Sequence, residues 1–297
     1  MEDPRYWLNR AEYPFSLETF DSGEGFMSYV DTGEGDPIVF VHGNVTWSFL
    51  FRRMISGLSE SYRCIALDHL GFGLSEKKPE SGYGPDDHAR RFRLFMEKLE
   101  LTNVTLVVHD TGAAIALDWA ANHPNFVKNL VFLNSHFWSL TNNEVAMKIA
   151  RLVSNPLNRF YYRVIQSTPT FILPTVLADR HKLTKTVANH YLRPFETHDD
   201  RKSVFALIDS WKKQSDWYEG VEAKSTRLKE KPTLIVWGMK DPMFDETALS
   251  RVQKHFPRSE TIEFPHSGRF LLEEESLKVT DKLRDFLTTP VLSSLVE

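Results

Sequence analysis

The sequence predicts an α/β protein with a doubly wound, mostly parallel sheet that carries a helical insertion. Short apolar runs alternate with amphipathic stretches, and the central runs are continuous rather than alternating. Continuous apolar strands are typical of parallel sheets covered on both faces. The alternation stops between about residues 136 and 225 and then resumes. Alternating strands and helices favour a doubly wound sheet, and the interruption indicates an insertion.

Each core element follows from these patterns. The predicted strands are Phe26–Asp31, Ile38–Val41, Cys64–Leu67, Val104–Val108, Leu130–Leu133, Thr233–Val236 and Thr261–Phe264. The predicted helices are Phe51–Leu58, Asp86–Leu99, Ala113–Asn122, Glu246–His255 and Ser276–Leu287. The interrupted stretch is rich in helix formers and contains several prolines. We therefore predict a core of residues 1–135 and 226–297 and a helical cap of residues 136–225, folded over the carboxyl ends of the strands.

Composition narrows the class of protein. The 297 residues, 41% of them hydrophobic, fit one large domain with an insertion. A net charge of −4 argues against a nucleic-acid partner. Cys64 is the only cysteine, and neither a signal-like start nor a membrane-length apolar run is seen, so we expect a cytoplasmic protein. The turn Gly71-Phe72-Gly73 lacks the third glycine of a dinucleotide motif. We expect no cofactor and no metal, and oligomeric state is not indicated.

Asp110 is the most informative residue. It ends the apolar run Leu106-Val107-Val108-His109 and is followed by Thr111-Gly112 and a helical pattern. Strand, sharp turn and helix together indicate a nucleophile elbow. The residue at the elbow is usually Ser or Cys. A carboxylate, with a reference pKa near ~3.9, is already ionised at neutral pH and can attack saturated carbon that bears a good leaving group. An N-cap role for Asp110 is the structural alternative.

Two further residues complete a catalytic pattern. Asp241 follows the predicted strand Thr233–Val236, and His266 follows Thr261–Phe264. The candidate nucleophile, acid and base thus follow one another along the chain in the order found in enzymes with a nucleophile elbow. Each comes directly after a predicted parallel strand. We predict Asp110, Asp241 and His266 as the catalytic residues. The other histidines lack such placement, and His109 is expected to pack beside the nucleophile.

An oxyanion hole is predicted beside Asp110. The loop His42-Gly43-Asn44 follows the strand Ile38–Val41. In folds with this elbow, that loop and the residue after the nucleophile each supply a backbone N–H. The donors would be Asn44 and Thr111. The Asn44 side-chain amide can also donate to an anion, although Asn is common in turns after strands.

Several motifs resemble haloalkane dehalogenases, in the branch with its catalytic acid after the seventh strand. The similarity covers nearly the whole core, and Tyr191-Leu192-Arg193-Pro194-Phe195 is similar to a cap motif of the family. The core motifs are His42-Gly43-Asn44-Val45-Thr46-Trp47, Asp68-His69-Leu70-Gly71-Phe72-Gly73 and Val236-Trp237-Gly238-Met239-Lys240-Asp241. The resemblance implies an α/β-hydrolase fold, a mostly parallel central sheet with a helical cap insertion. It also implies Asp110 as nucleophile, His266 as base, Asp241 as orienting acid and Asn44 as a halide-binding residue.

The residue after the nucleophile departs from this family. The family normally has a Trp there, whose indole N–H is the second halide donor, and this chain has Thr111. Losing one preorganised donor costs roughly 2.7–4 kcal/mol, about 10²–10³ in rate. Trp138, at the start of the cap, is a candidate substitute donor, with cap–core packing as its alternative role.

The predicted reaction is haloalkane dehalogenation with a small apolar substrate, water and halide as partners. Asp110 forms an alkyl-enzyme ester, and a His266-activated water hydrolyses it. Epoxide hydrolysis, with Tyr161, Tyr162 and Tyr191 as candidate acids, and β-lactone decarboxylation remain alternatives. Asn44 argues against the epoxide reading. A non-catalytic ligand-binding member is a third class, against which the three catalytic residues argue.

Overall fold

The computed structural model describes residues 7–158, 177–179 and 182–289. One eight-stranded sheet runs through it in the order β1-β2-β4-β3-β5-β6-β7-β8. β1 and β2 pair antiparallel at one edge, and every pairing from β4 to β8 is parallel. The strands are Glu18–Asp21, Phe26–Thr32, Pro37–Val41, Arg63–Leu67, Val104–Asp110, Val127–Ser135, Thr233–Gly238 and Ser259–Phe264. The predicted fold class is confirmed, and β1 is a strand that the sequence patterns did not indicate.

Helices cover the sheet and occur in the described part of the insertion. We number those described α1 to α10: Arg52–Leu58, Pro85–Leu99, Gly112–Ala120, Glu144–Ser154, Lys185–Leu192, Lys202–Lys213, Ser215–Ser225, Glu246–His255, Leu271–Glu274 and Ser276–Thr288. All five predicted core helices are present, with ends displaced by two residues or fewer. The predicted cap residues 136–225 fall between β6 and β7, where α4 to α7 lie. Within the described ranges, no helix is long and apolar enough to cross a membrane.

A buried ion pair connects the core to the insertion. Arg52 of α1 donates from two nitrogens to the Glu273 carboxylate of α9, at 2.6 and 2.8 Å. The Tyr191 hydroxyl of α5 donates to the same carboxylate at 2.6 Å. All three side chains are buried. Since a buried charge needs partners, this cluster fixes α5 against the core beside the carboxyl ends of the strands.

Candidate active site

Asp110 lies at a strained turn between β5 and α3. Its φ of 53° falls in the left-handed region, which non-glycine residues adopt at a cost of about 1–3 kcal/mol. Gly43 passes so close that a Cβ there would overlap the Asp110 side chain. A glycine is therefore required for the loop after β3 to approach the carboxylate. Asp110 is 2% exposed. Strain of this kind at a buried carboxylate is typical of a functional site.

One oxygen of Asp110 is surrounded by donors. Its Oδ1 accepts from the backbone N–H of Thr111 at 2.6 Å and from that of Asn44 at 3.3 Å. These are the two amides that the sequence predicted for an oxyanion hole. The Thr111 hydroxyl adds a third donor at 2.8 Å. Charge developing on Oδ1 would meet preorganised donors, the arrangement that stabilises oxyanions in acyl transfer.

Arg269 contacts both of the carboxylates that the sequence predicted as catalytic, Asp110 and Asp241. Its guanidinium donates to Asp241 from Nε and Nη2, at 2.9 and 2.8 Å, and to Asp110 Oδ2 from Nη1 at 3.3 Å. Burial acts to lower the pKa of Arg269, but the attraction of Asp241 and Asp110 outweighs it and raises that pKa. Burial likewise acts to raise the pKa of Asp110, but Arg269, the neighbouring His136 and His109 and the Thr111 N–H together outweigh it, so that pKa is lowered. Both groups are charged, and Arg269 cannot accept a proton.

The placement of His266 contradicts the predicted catalytic set. Residues 265–266 form a turn after β8, closed by the N–H of Ser267 donating to the Phe264 carbonyl at 3.2 Å. His266 is exposed at this turn. Among the described residues, the side-chain partner of Asp241 at the position expected for the base is Arg269. The predicted contact between Asp241 and His266 is therefore wrong, and the side chain that enters the site, Arg269, lies three positions after the expected base.

Asp241 itself lies where the sequence placed it, after β7. Its carboxylate accepts from the backbone N–H groups of Met243 and Phe244, at 2.9 and 3.2 Å. The Asn134 side chain, at the end of β6, donates to its Oδ2 at 3.3 Å. Together with Arg269, these donors satisfy a carboxylate that is only 3% exposed. Asp241 thus orients a guanidinium rather than an imidazole.

The two residues predicted to hold a halide are directed elsewhere. The Asn44 amide donates to the Val204 carbonyl at 3.2 Å, and its oxygen accepts from the Val45 N–H at 2.9 Å. Trp138 packs under the Arg251 guanidinium, 4.9 Å from the ring centre. It lines a surface cleft of about 460 Å³ formed by residues 138–145 and 242–251, which does not contain Asp110. These contacts provide no support for Trp138 as a halide donor and leave one Asn44 N–H for that task.

Of the three tyrosines suggested as acids for an epoxide reaction, only Tyr191 lies in the described part of the chain. Tyr161 and Tyr162 lie outside the described residues, and the Tyr191 hydroxyl is bound to Glu273. A different cap tyrosine, Tyr218 of α7, is buried against the site, and its hydroxyl lies 3.1 Å from Ser210 Oγ. Burial raises the pKa of Tyr218, and the Asp110 charge adds to the effect. Tyr218 is a neutral hydrogen-bonding group close to Asp110 that the sequence patterns did not single out.

Comparison with known proteins agrees with this architecture. A family profile described as alpha/beta hydrolase fold matches residues 36–276. Haloalkane dehalogenase 2 of Mycobacterium bovis is 34% identical over 271 residues, covering 88% of this chain and 91% of that protein. The chain belongs to the haloalkane dehalogenase family of α/β-hydrolases. It is therefore a hydrolase of this type.

Two further proteins are similar to this chain over most of its length. The Cis-3-alkyl-4-alkyloxetan-2-one decarboxylase of Shewanella oneidensis is 31% identical over 291 residues, covering 93% of this chain and 89% of that protein. The crystal structure of the haloalkane dehalogenase DatA from Agrobacterium tumefaciens C58 superposes with a TM-score of 0.83. It is 23% identical and covers 95% of this chain and 99% of that chain, a similarity that shows the fold alone.

Besides Tyr218, sequence reasoning missed two residues of the site, His136 and Arg269. His136 directly follows β6, so the rule that singled out Asp241 and His266 applied to it as well. Arg269 gave no comparable signal, because it stands five residues beyond the end of β8. No group of three or more His, Cys, Asp or Glu side chains that could hold a metal is found in the described part of the chain.

Because His136 is buried, we expect the free energy of unfolding to fall in acid. Burial lowers its pKa to about 4, and the attraction of Asp110 offsets only part of this effect. Because the folded-state pKa lies below the ordinary value near 6.5, the unfolded chain binds a proton first as the pH falls. The contribution of neutral His136 to the free energy of unfolding is fully present above about pH 6.5 and is lost towards pH 4. The loss amounts to roughly 3 kcal/mol.

This pH dependence can be measured by urea denaturation at about pH 7.5 and about pH 5. His136→Gln should show a smaller loss of unfolding free energy than the unmodified chain over this interval. His266→Gln is the matched control: His266 is exposed, and its replacement should leave the loss unchanged. An equal loss in all three proteins would contradict the assignment to His136.

Proposed function

We propose that the chain displaces halide from haloalkanes through Asp110, and that hydrolysis of the resulting alkyl ester is its slow step. The observation that supports this most is the Asp110 carboxylate. Oδ1 is held by the Thr111 and Asn44 amides, which leaves Oδ2 as the attacking oxygen. Attack of Oδ2 on the halogen-bearing carbon forms a C–O bond, and the carbon–halogen bond breaks with its electron pair leaving as halide.

The second step is expected to be slow because of Arg269. A general base typically contributes 10²–10⁴ to such a step. The position between Asp110 and Asp241 holds a protonated guanidinium, which cannot take a proton from water. Arg269 also neutralises the nucleophile, and we expect it to slow the first step to a smaller extent, since its contact with Oδ2 is long, at 3.3 Å.

The test is intact-mass measurement of the unmodified protein incubated with 1-bromobutane. We expect one butyl group per chain, mapped by proteolysis to the peptide that contains Asp110, and a burst of one equivalent of bromide followed by slow release. Neither adduct nor burst, from a folded sample, would overturn the proposal. A fast steady state without accumulated ester would show that the second step is not limiting.

Arg269 also favours a second candidate, the decarboxylation of a β-lactone. Attack of Asp110 on the ring carbon that bears the ring oxygen would break that C–O bond and release a carboxylate, which a guanidinium can bind. Loss of CO₂ would then form a C=C bond and return the electron pair of the ester C–O bond to Asp110. No water needs to be deprotonated. The same incubation with a cis-3,4-dialkyl β-lactone should release CO₂ over many turnovers without a lasting adduct, and failure to release CO₂ would exclude this candidate.

A further inference from the structure

His136 is held beside the nucleophile by the sheet. Ser135, the last residue of β6, is in register with Asp110, the last residue of β5. The His136 N–H donates to the Asp110 carbonyl at 3.3 Å. The imidazole is fully buried and packs against the rings of Tyr218 and Phe244, whose centres both lie 5.3 Å from its own. Its position next to Asp110 is therefore fixed by the backbone and by these two rings.

The contacts of His136 define which nitrogen carries the proton. Nδ1 lies 3.2 Å from the Trp138 carbonyl oxygen, which can only accept. In the neutral ring, Nδ1 is therefore the N–H and Nε2 carries the lone pair, an assignment made from the hydrogen-bond network. Nε2 lies 3.2 Å from the Thr111 hydroxyl oxygen. An oriented imidazole with its lone pair directed at the site has the form of a general base.

The Thr111 hydroxyl has one proton and two acceptors. Its oxygen lies 2.8 Å from Asp110 Oδ1 and 3.2 Å from His136 Nε2. With Asp110 ionised, the carboxylate is the stronger acceptor. When Nε2 is also protonated, all three contacts can be hydrogen bonds at the same time. Nδ1–H donates to the Trp138 carbonyl, Nε2–H donates to the Thr111 hydroxyl oxygen, and the Thr111 hydroxyl donates to Asp110. The network is therefore complete when His136 has gained a proton.

We propose that His136 accepts the proton of the water that hydrolyses the alkyl ester of Asp110. This inference rests on the proposed function, since it requires that ester to form. Water oxygen bonds to Asp110 Cγ while its proton moves to His136 Nε2, and the negative charge on Oδ1 is held by the Asn44 and Thr111 donors. Collapse breaks the bond between Cγ and the alkoxy oxygen, and the alkoxide takes the proton from Nε2 to leave as an alcohol.

Other basic groups near Asp110 are less suited to this task. Arg269 is protonated, and His266 is exposed at its turn. His109 packs against Phe270, and its Nε2 lies 3.1 Å from the Arg269 carbonyl, to which it donates. His42 Nε2 already accepts from the His69 N–H at 2.9 Å. Of these groups, His136 is the one whose lone pair faces a hydroxyl bound to the nucleophile.

The test separates formation of the ester from its decay. The unmodified protein and His136→Gln are loaded with 1-bromobutane, freed of substrate, and followed by intact mass. Gln keeps an oxygen that accepts from Thr111 but is not a base. We expect ester formation to be retained and its decay to slow about 100-fold or more. His136→Asn, whose amide can donate to the Trp138 carbonyl in place of Nδ1, is the second variant in case the first does not fold.

A purely structural role predicts a different result. The ester would then decay at the unmodified rate in whichever variant folds, and this outcome would overturn the inference. His109→Gln is the matched control and should leave decay unchanged; slowed decay there, with normal decay in the His136 variants, would assign the base to His109 instead. If the unmodified protein forms no ester at all, the proposed function fails first, and that is visible before any decay is measured.

Discussion

Replacing Arg269 by His should raise the rate of multiple-turnover dehalogenation by up to about 10²–10⁴-fold, because burial lowers the pKa of His136 to about 4 and makes it a weak base, whereas an imidazole paired with Asp241 would be a stronger one. An imidazole at this position would lie between Asp241 and Asp110, where Arg269 now contacts both. The Asp241 carboxylate would accept from one ring nitrogen and leave the other facing Asp110. The measurement is steady-state bromide and alcohol release from 1-bromobutane, together with the amount of ester present at steady state, which should fall.

Arg269→Gln is the control for this substitution. It removes the positive charge that neutralises Asp110 but supplies no base, so it should speed ester formation without speeding ester decay. A comparable increase in turnover in the Gln and His variants would show that relief of the ion pair, not the imidazole, is responsible. No increase in the His variant, with the fold intact, would contradict the view that Arg269 occupies the position of the base.

The sequence predicted the framework of the site because strand ends define it. Asp110 is the last residue of β5, and Asp241 follows the end of β7 after a short turn. Because both strands are parallel, the two residues must lie at the same edge of the sheet. The loop containing Asn44 is similarly constrained, and its N–H lies 3.3 Å from Asp110. The continuous apolar runs of the strands made it possible to predict these positions from the sequence pattern.

The base could not be located in the same way. After β8 the chain stays paired to the preceding loop, with Lys240 N–H donating to the Ser267 carbonyl at 2.9 Å. His266 is thereby kept on the outer turn, and the chain first enters the site at Arg269. Which side chain of such a loop faces inward depends on turn geometry, not on distance from the strand.

The roles of Thr111 and His136 depend on side-chain direction. Only the backbone N–H of Thr111 was predicted as an oxyanion donor, whereas its hydroxyl also donates to Asp110 Oδ1 at 2.8 Å. That orientation is set by the rotamer and by the neighbouring imidazole, 3.2 Å away. Neither is encoded by apolar periodicity, which determines only the face of a strand or helix on which a residue lies.

Asp110→Asn should abolish both the alkyl adduct and all bromide release while leaving the fold intact. The amide is neutral and not nucleophilic, so no ester can form. Asn tolerates the positive φ of 53° at this turn better than most residues. Its oxygen can still accept from the Thr111 and Asn44 N–H groups, and Arg269 keeps both of its bonds to Asp241. The measurements are intact mass after incubation with 1-bromobutane, bromide release and circular dichroism.

Asp36→Asn is the matched control, since this carboxylate lies on the surface in an ion pair with Lys128, and adduct formation should be unchanged. Slow deamidation would regenerate Asp110, so freshly purified protein must be compared with aged samples, and any activity that grows with age belongs to the deamidated fraction. Adduct formation at the unmodified rate in fresh Asp110→Asn would place the nucleophile elsewhere. It would also remove the basis for assigning the slow step to Arg269, because that assignment depends on an ester whose carbonyl carbon is Cγ of Asp110.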